Sequence, residues 1–259
     1  MLEKVGKTLI HISIVILLSL FTISTVFADF ALAGTSSLQV LSKETIATGT
    51  KYATDLFIIR SSNPGPVVMV VGGVHGNETA GYKAATLLKD YRIKNGTLLI
   101  LPQANRRAVK SDVRFLCGEK DLNRCFPQSS SESADNILAK EIYRSVKKYK
   151  VDWLMDMHEG INYSRLSTSV GQSIVYYPDT ATRKVSQKII KNLNKNISTS
   201  YKKFDLLTYP TKGSLARASA QFLNTNSFIL ETCSRQLLSN RINYHLKAAG
   251  TLLAELGMR

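Results

Sequence analysis

Two histidines and two glutamates of this 259-residue chain stand where hydrophobic runs end. His75 and Glu78 follow PVVMVVGG, His158 closes VDWLMDMH, and Glu231 lies near the end of SFILETC. Two imidazoles and a carboxylate are the donor set of a catalytic zinc site that keeps its fourth position open to water. The chain has four histidines. His11 falls in an N-terminal apolar segment and His245 in the last helical stretch, which leaves His75 and His158 at strand ends. The competing explanation is a pair of satisfied histidines at the edge of a core. Gly72, Gly73 and Gly76 suit a backbone that bends sharply and passes close to a bound ion. A phosphate cradle needs the GxGxxG or P-loop spacing, and neither is met here.

Between the histidines lies KDLNRCFP, residues 120–127. Asn123 and Arg124 place an amide beside a guanidinium, which suits capture of a carboxylate through charge-assisted, bidentate bonds. Asp121 can accept the second ring N–H of a ligating histidine. Alone, DLNR also reads as an ordinary Asp turn.

The elements that must position these residues alternate in type. Residues 37–50 and 51–62 read as extended, the second with alternating polarity. PVVMVVGG fits a strand covered on both faces. Residues 79–91 show helical spacing, and TLLILPQ is a strand after the Asn95-Gly96 turn. Residues 102–131 are polar, arginine-rich and without periodicity, as in a functional or disordered loop. ADNILAKEIYRSVKKY is an amphipathic helix, VDWLMDMH and SIVYYPD are strands, residues 180–197 a helix, SFILETC a strand and residues 240–257 a closing helix. The pattern predicts an α/β fold, a three-layer α/β/α sandwich with a central mixed, largely parallel sheet. In such sheets ligands collect at the carboxyl ends of strands, so the four residues can share one cleft.

The composition adds a compartment and a charge. The first residues, MLEKVGK and then LIHISIVILLSLFTISTVFA, have the layout of a secretory signal peptide ending at Ala28 or Ala33. An uncleaved membrane anchor is the alternative, because the run approaches the ~20 residues that span a bilayer. Residues 1–33 are thus expected to be a signal peptide or anchor and 34–259 a single catalytic domain outside the cytoplasm, secreted or wall-associated. Formal charge is +15. Removing residues 1–28 takes away Lys4, Lys7 and Glu3 and leaves +14, so the excess belongs to the folded part. Anionic partners such as cell-wall polymers follow, or a surface that is simply basic. Nucleic acid is not expected, since no basic run is interleaved with aromatics. Of Cys117, Cys125 and Cys233, the first two are the closer pair for a disulfide, with three buried thiols as the alternative.

His75-x-x-Glu78, Asp121-Leu122-Asn123-Arg124, His158 after a hydrophobic strand and a late Glu231 together resemble the zinc metallocarboxypeptidase superfamily, most closely its succinylglutamate desuccinylase/aspartoacylase branch. The resemblance runs over roughly residues 55–240. It implies that His75, Glu78 and His158 hold one Zn²⁺, that Asn123 and Arg124 grip the substrate's free carboxylate, and that Asp121 supports a ligand histidine. It implies Glu231 as general base and acid, with Arg114 stabilising the oxyanion and Arg217 as a second carboxylate contact. Glu159 competes with Glu231 for the base role, but neighbouring strand residues point to opposite faces. The expected activity is hydrolysis of an amide bond next to a free carboxylate. A carboxypeptidase or amidase acting on cell-wall peptides leads. An N-acyl amino acid deacylase and a non-catalytic wall-binding module are the alternatives.

Overall fold

The computed structural model describes residues 38–259. The segment expected as signal peptide or anchor, residues 1–33, lies outside the described residues, as does His11. Among the described residues eight strands form one sheet: β1 (Gln39–Ile46), β2 (Thr54–Ser61), β3 (Val67–Gly72), β4 (Thr97–Leu101), β5 (Trp153–Gly160), β6 (Ser173–Tyr176), β7 (Asp205–Thr208) and β8 (Asn226–Cys233). Their order is β1-β2-β4-β3-β5-β8-β6-β7. The central run β4-β3-β5-β8 is parallel throughout. Strands β1, β2 and β6 add antiparallel pairings towards the edges, so the sheet is mixed with a parallel centre, as the sequence pattern predicts.

Side-chain alternation shows why the sheet must be covered on both faces. Val68 and Val70, Leu98 and Ile100, Met155 and Met157, and Phe228 and Leu230 enter one buried cluster. Met69 and Val71, Leu99 and Leu101, Leu154 and Ile229 enter another. The first is closed by α1 (Thr79–Leu87), α4 (Thr180–Asn194) and α6 (Leu238–Glu255) through Ala84, Ile189 and Leu252. The second is closed by α3 (Ile137–Lys148) and α5 (Leu215–Leu223) through Ile142 and Leu215. Near-continuous apolar strands are what a sheet buried on both faces requires.

The stretch 102–131 is more ordered than its polarity predicts. It holds α2 (Arg106–Ser111) and a single 3₁₀ turn, Leu122–Arg124. Helix α2 has no apolar stripe and only Ala108 buried, so periodicity could not reveal it. Asn105 caps it by accepting the Ala108 N–H. Strand β7 and helix α5 are also absent from the sequence reading: β7 is four residues long at the sheet edge, and α5 buries small residues, Ala216, Ala218 and Ser219. Of the two readings of the cysteines, a Cys117–Cys125 bridge or three thiols, the structure has three thiols. All three cysteines are free, with Cys117 exposed and Cys125 buried against the Asp121 carbonyl.

Gly76 sits between the two candidate ligands of the β3 end and packs directly on α2. A Cβ there would lie 2.0 Å from the Ala108 carbonyl carbon and 2.1 Å from its oxygen, so only glycine allows the two backbones to meet. Gly76→Ala is expected to lower unfolding free energy by about 1–3 kcal/mol, the usual cost of overpacking. An unchanged midpoint in urea denaturation would refute the close-packing account.

Candidate metal centre

His75 and Glu78 lie just beyond β3, and Gly72 at its end pairs in register with Met157, one residue before His158. Strand β8 runs parallel to β5 with His158 opposite Glu231. Registered partners project from the same face, so His158 and Glu231 share the α3/α5 side of the sheet at its carboxyl edge. The structure thus brings His75, Glu78 and His158 together, with one donor atom from each within 4.8 Å of the others. The imidazoles meet edge-on, with centroids 4.9 Å apart and planes at 68°.

The donors converge on one carboxylate. Glu78 Oε1 lies 2.6 Å from His75 Nδ1, and its Oε2 lies 2.8 Å from His158 Nδ1. All three residues are buried. The outer ring nitrogens each face a second carboxylate: His75 Nε2 is 2.9 Å from Asp121 Oδ1, and His158 Nε2 is 3.0 Å from Asp156 Oδ2. The latter contact is not aligned as a hydrogen bond, and both oxygens of the fully buried Asp156 lack hydrogen-bond partners. This arrangement fits a zinc ion. An imidazole that gives its Nδ1 lone pair to a cation carries its proton on Nε2, where Asp121 and Asp156 stand ready to accept it.

Charge follows the same geometry. Burial raises the Glu78 carboxyl, but the His158 and His75 rings outweigh it and hold the group far below the ordinary carboxylate range. Burial alone would lower both histidines. Glu78 and Asp121 lift His75 above its usual value, and Asp156 and Glu78 lift His158 well above. Asp121 is held low by His75 and Arg114 against its own burial. Burial pushes the partly buried Glu231 up to about 7, with His158 pulling against it and Glu78 adding to it.

The remaining sequence-derived residues divide. Arg114 reaches the cluster, with Nη2 2.9 Å from Asp121 Oδ2 and Nη1 3.4 Å from Glu78 Oε1. Asn123 is buried in the 3₁₀ turn. Its Oδ1 accepts the Leu215 N–H at 3.2 Å, which leaves its amide NH₂ as the donor end, while Arg124 Nη1 braces the Asn123 carbonyl at 2.8 Å. Arg217 is elsewhere. Its Nε bonds Gln221 Oε1 at 2.8 Å, its Nη1 bonds the Pro210 carbonyl at 3.1 Å, and its guanidinium lies against the rings of Tyr177 and Tyr209. Strand β6 is antiparallel to β8, with Ser173 opposite Glu231 and Tyr176 opposite Phe228, so Tyr177 continues away from the cluster. The carboxylate contact that the resemblance implies for Arg217 stays a proposal, and in the structure this arginine is stacked and internally bonded.

Glu159 turns to the other face, where its carboxylate accepts the Ala80 N–H and pairs with Arg241. His245 is buried beside Thr232, 3.3 Å from its Oγ1, and burial pushes it down to about 3, so it stays neutral. Sequence reasoning missed Asp156. Its signal was its position two residues before His158, the spacing that puts two strand residues on one face.

Residues 64–174 match the family described as the succinylglutamate desuccinylase/aspartoacylase catalytic domain. That segment carries His75, Glu78, Arg114, Asp121 to Arg124 and His158, and it bears out the family resemblance these residues display. The chain is 37% identical over 110 residues to the N-acyl-aromatic-L-amino acid amidohydrolase (carboxylate-forming) of Xenopus laevis, across 38% of this chain and 35% of that protein. Its fold is similar to that of Csd4, a D,L-carboxypeptidase of Helicobacter pylori, with a TM-score of 0.67, 20% identity, and coverage of 75% of this chain and 52% of that one. It is also similar to a succinylglutamate desuccinylase/aspartoacylase from Rhodobacter sphaeroides, with a TM-score of 0.63, 16% identity, and coverage of 85% and 66%. The chain thus spans about a third of the curated relative it matches and about half of Csd4.

Because Glu78 and the outer carboxylates lift both histidines, protons compete with a cation for their ring nitrogens to a higher pH than at ordinary imidazoles. Zinc affinity is expected to rise with pH through and above the usual histidine range near ~6.5, with proton release on binding. Titration calorimetry in buffers of different ionisation enthalpy measures this. An affinity flat from about pH 6 to 8, with no proton release, would contradict it.

Proposed function

We propose that the chain is a secreted zinc-dependent hydrolase that cleaves an amide bond next to a free carboxylate, with cell-wall peptides as its substrates. The observation that carries this reading is the convergence of His75, Glu78 and His158 beside a turn that presents Asn123 and Arg124. When bound, zinc supplies Lewis-acid polarisation and lowers the pKa of water. The protein's own groups supply the rest. Asn123 Nδ2 and the Arg124 guanidinium hold the terminal carboxylate and so fix which bond is cut. Glu231 accepts the proton of the attacking water and returns it to the leaving amine. The Arg114 guanidinium donates to the oxyanion that develops on the carbonyl.

The wall-peptide choice is supported by the leader-like N-terminus, by the fold shared with a D,L-carboxypeptidase, and by the charge of one face. Residues 180–204 contain Arg183, Lys184, Lys188, Lys191, Lys195, Lys202 and Lys203 and no Asp or Glu. The first five are exposed along or just beyond α4. Two open cavities of about 540 and 320 Å³ adjoin there and share Lys184 and Gln187. Such a surface favours an anionic wall polymer. A second reading, an N-acyl amino acid deacylase, is favoured by the 37% identity to an amidohydrolase. A non-catalytic wall-binding module is the third.

Purified protein given zinc and muropeptides is expected to release a terminal amino acid. Glu231→Gln should cut kcat by about 10²–10⁴-fold, the usual range for a general acid–base group. Arg124→Ala should act mainly on KM, by about 10–100-fold, as loss of a charge-assisted bond worth ~1.5–3 kcal/mol predicts. Since a bound cation favours ionised Glu231, the acidic limb of the rate profile should lie at or below pH ~7, with activity lost as pH falls through it. Turnover of acyl-amino acids with none of muropeptides would make the deacylase reading primary. Wall binding without turnover of either would leave the binding module.

A further inference from the structure

Glu78 occupies an unusual position for a helix cap. It is the N-cap residue of α1, with φ −91° and ψ 70°, yet its side chain makes no capping bond, and the first turn of α1 contains no acidic residue. An N-cap side chain ordinarily accepts the N–H of the second or third helical residue. Here that carboxylate is turned towards His75 and His158 instead. The vacated role is filled from the neighbouring strand. Glu159 Oε1 accepts the N–H of Ala80, the second residue of α1, at 2.5 Å. The Glu159 main-chain N–H also donates to Glu78 Oε2 at 3.0 Å. One residue therefore fixes the carboxylate of Glu78 directly and fixes the helix that starts immediately after it.

Glu159 is itself held. Arg241, near the start of α6, pairs with its second carboxylate oxygen, and Arg241 Nε donates to the Gln236 carbonyl at 3.0 Å. Both partners are largely withdrawn from solvent, with side-chain exposures of 15% for Arg241 and 2% for Glu159. The pair lies on the α1/α6 face, across the sheet from His158.

We propose that Glu159 and Arg241 are positioning residues of the metal centre: Glu159 caps α1 in place of Glu78, which frees the Glu78 carboxylate for the ion, and Arg241 keeps Glu159 aimed at the helix. The inference rests on the reading that His75, Glu78 and His158 hold zinc. Removing outer groups that orient metal ligands typically weakens affinity by 10–100-fold.

The test is zinc affinity of the folded chain, measured by competition with a chromogenic chelator, beside thermal melting of the metal-free protein. Glu159→Ala and Arg241→Gln are expected to weaken zinc binding about 10–100-fold. Glu159→Gln, which keeps an acceptor for the Ala80 N–H, should recover part of that loss, and Arg241→Lys should lie closer to wild type than Arg241→Gln. If Glu159→Ala does not fold, the Glu159→Gln and Arg241 variants decide the matter. Zinc affinity unchanged in the folded variants, with only the melting temperature lowered, would show a merely structural ion pair and overturn the proposal. Wild-type protein that takes up no zinc would instead overturn the metal reading on which it rests.

Discussion

The burial of the Glu78 carboxylate is the constraint around which the site is organised. Taking an ionised carboxylate out of water costs several kcal/mol unless charges and hydrogen bonds compensate it. Glu78 receives that compensation from two imidazoles, the Arg114 guanidinium and the Glu159 N–H. The imidazoles in turn need acceptors for their outer nitrogens, which draws Asp121 and Asp156 into the interior. Each residue placed to settle one buried charge thus brings in another: the His75 branch ends at the partly exposed Arg114, and the His158 branch ends at the fully buried Asp156. A cation held by the two rings and Glu78 would relieve the same demand more directly, because its charge would take the place of ring protons.

Strand parity divides the work at the end of β5. His158 faces α3 and α5, where the candidate ligands gather, and Glu159 faces α1 and α6, where it binds Ala80 and Arg241. A one-residue slip of β5 would exchange the two faces. The pairing on both sides guards against it, with β3 in register through Gly72 and Met157 and β8 in register along the length of β5. The near-continuous apolar character of these central strands is therefore part of the chemistry: it buries both faces, and the carboxyl edge is where polar side chains find space.

Features that repeat along the chain or end a hydrophobic run were legible in the sequence. Val67 to Gly72 announces its strand and its two-sided burial, and His75, Glu78 and His158 stand out because they interrupt apolar patterns. Short elements with small or polar residues were not legible. Helix α2 is held by Asn105 and by contact with Gly76, and α5 by Ser214 and small buried residues, none of which leaves a periodic signal. The aromatic partners of Arg217, Tyr177 and Tyr209, directly follow β6 and β7, and nothing in the sequence spacing ties them to it. Asp156 went unread because a carboxylate inside a buried strand has meaning only once His158 is known to lie beside it.

The family match ends at residue 174, inside β6 and before α4, β7, α5, β8 and α6, so Glu231 stands outside the segment that carries the candidate ligands. What ties it to them is sheet register. Strand β8 pairs with β5 over eight consecutive positions, and its sixth residue, Glu231, falls opposite His158. The same connection brings α5 over the sheet so that the Leu215 N–H holds Asn123 Oδ1, while Gly213 at φ 79° lets the chain pass against Arg124. The second half of the chain is therefore no appendage to the matched segment. It sets the orientation of the Asn123 amide, places Glu231 opposite His158, and through Arg241 reaches back to the helix that starts at Glu78.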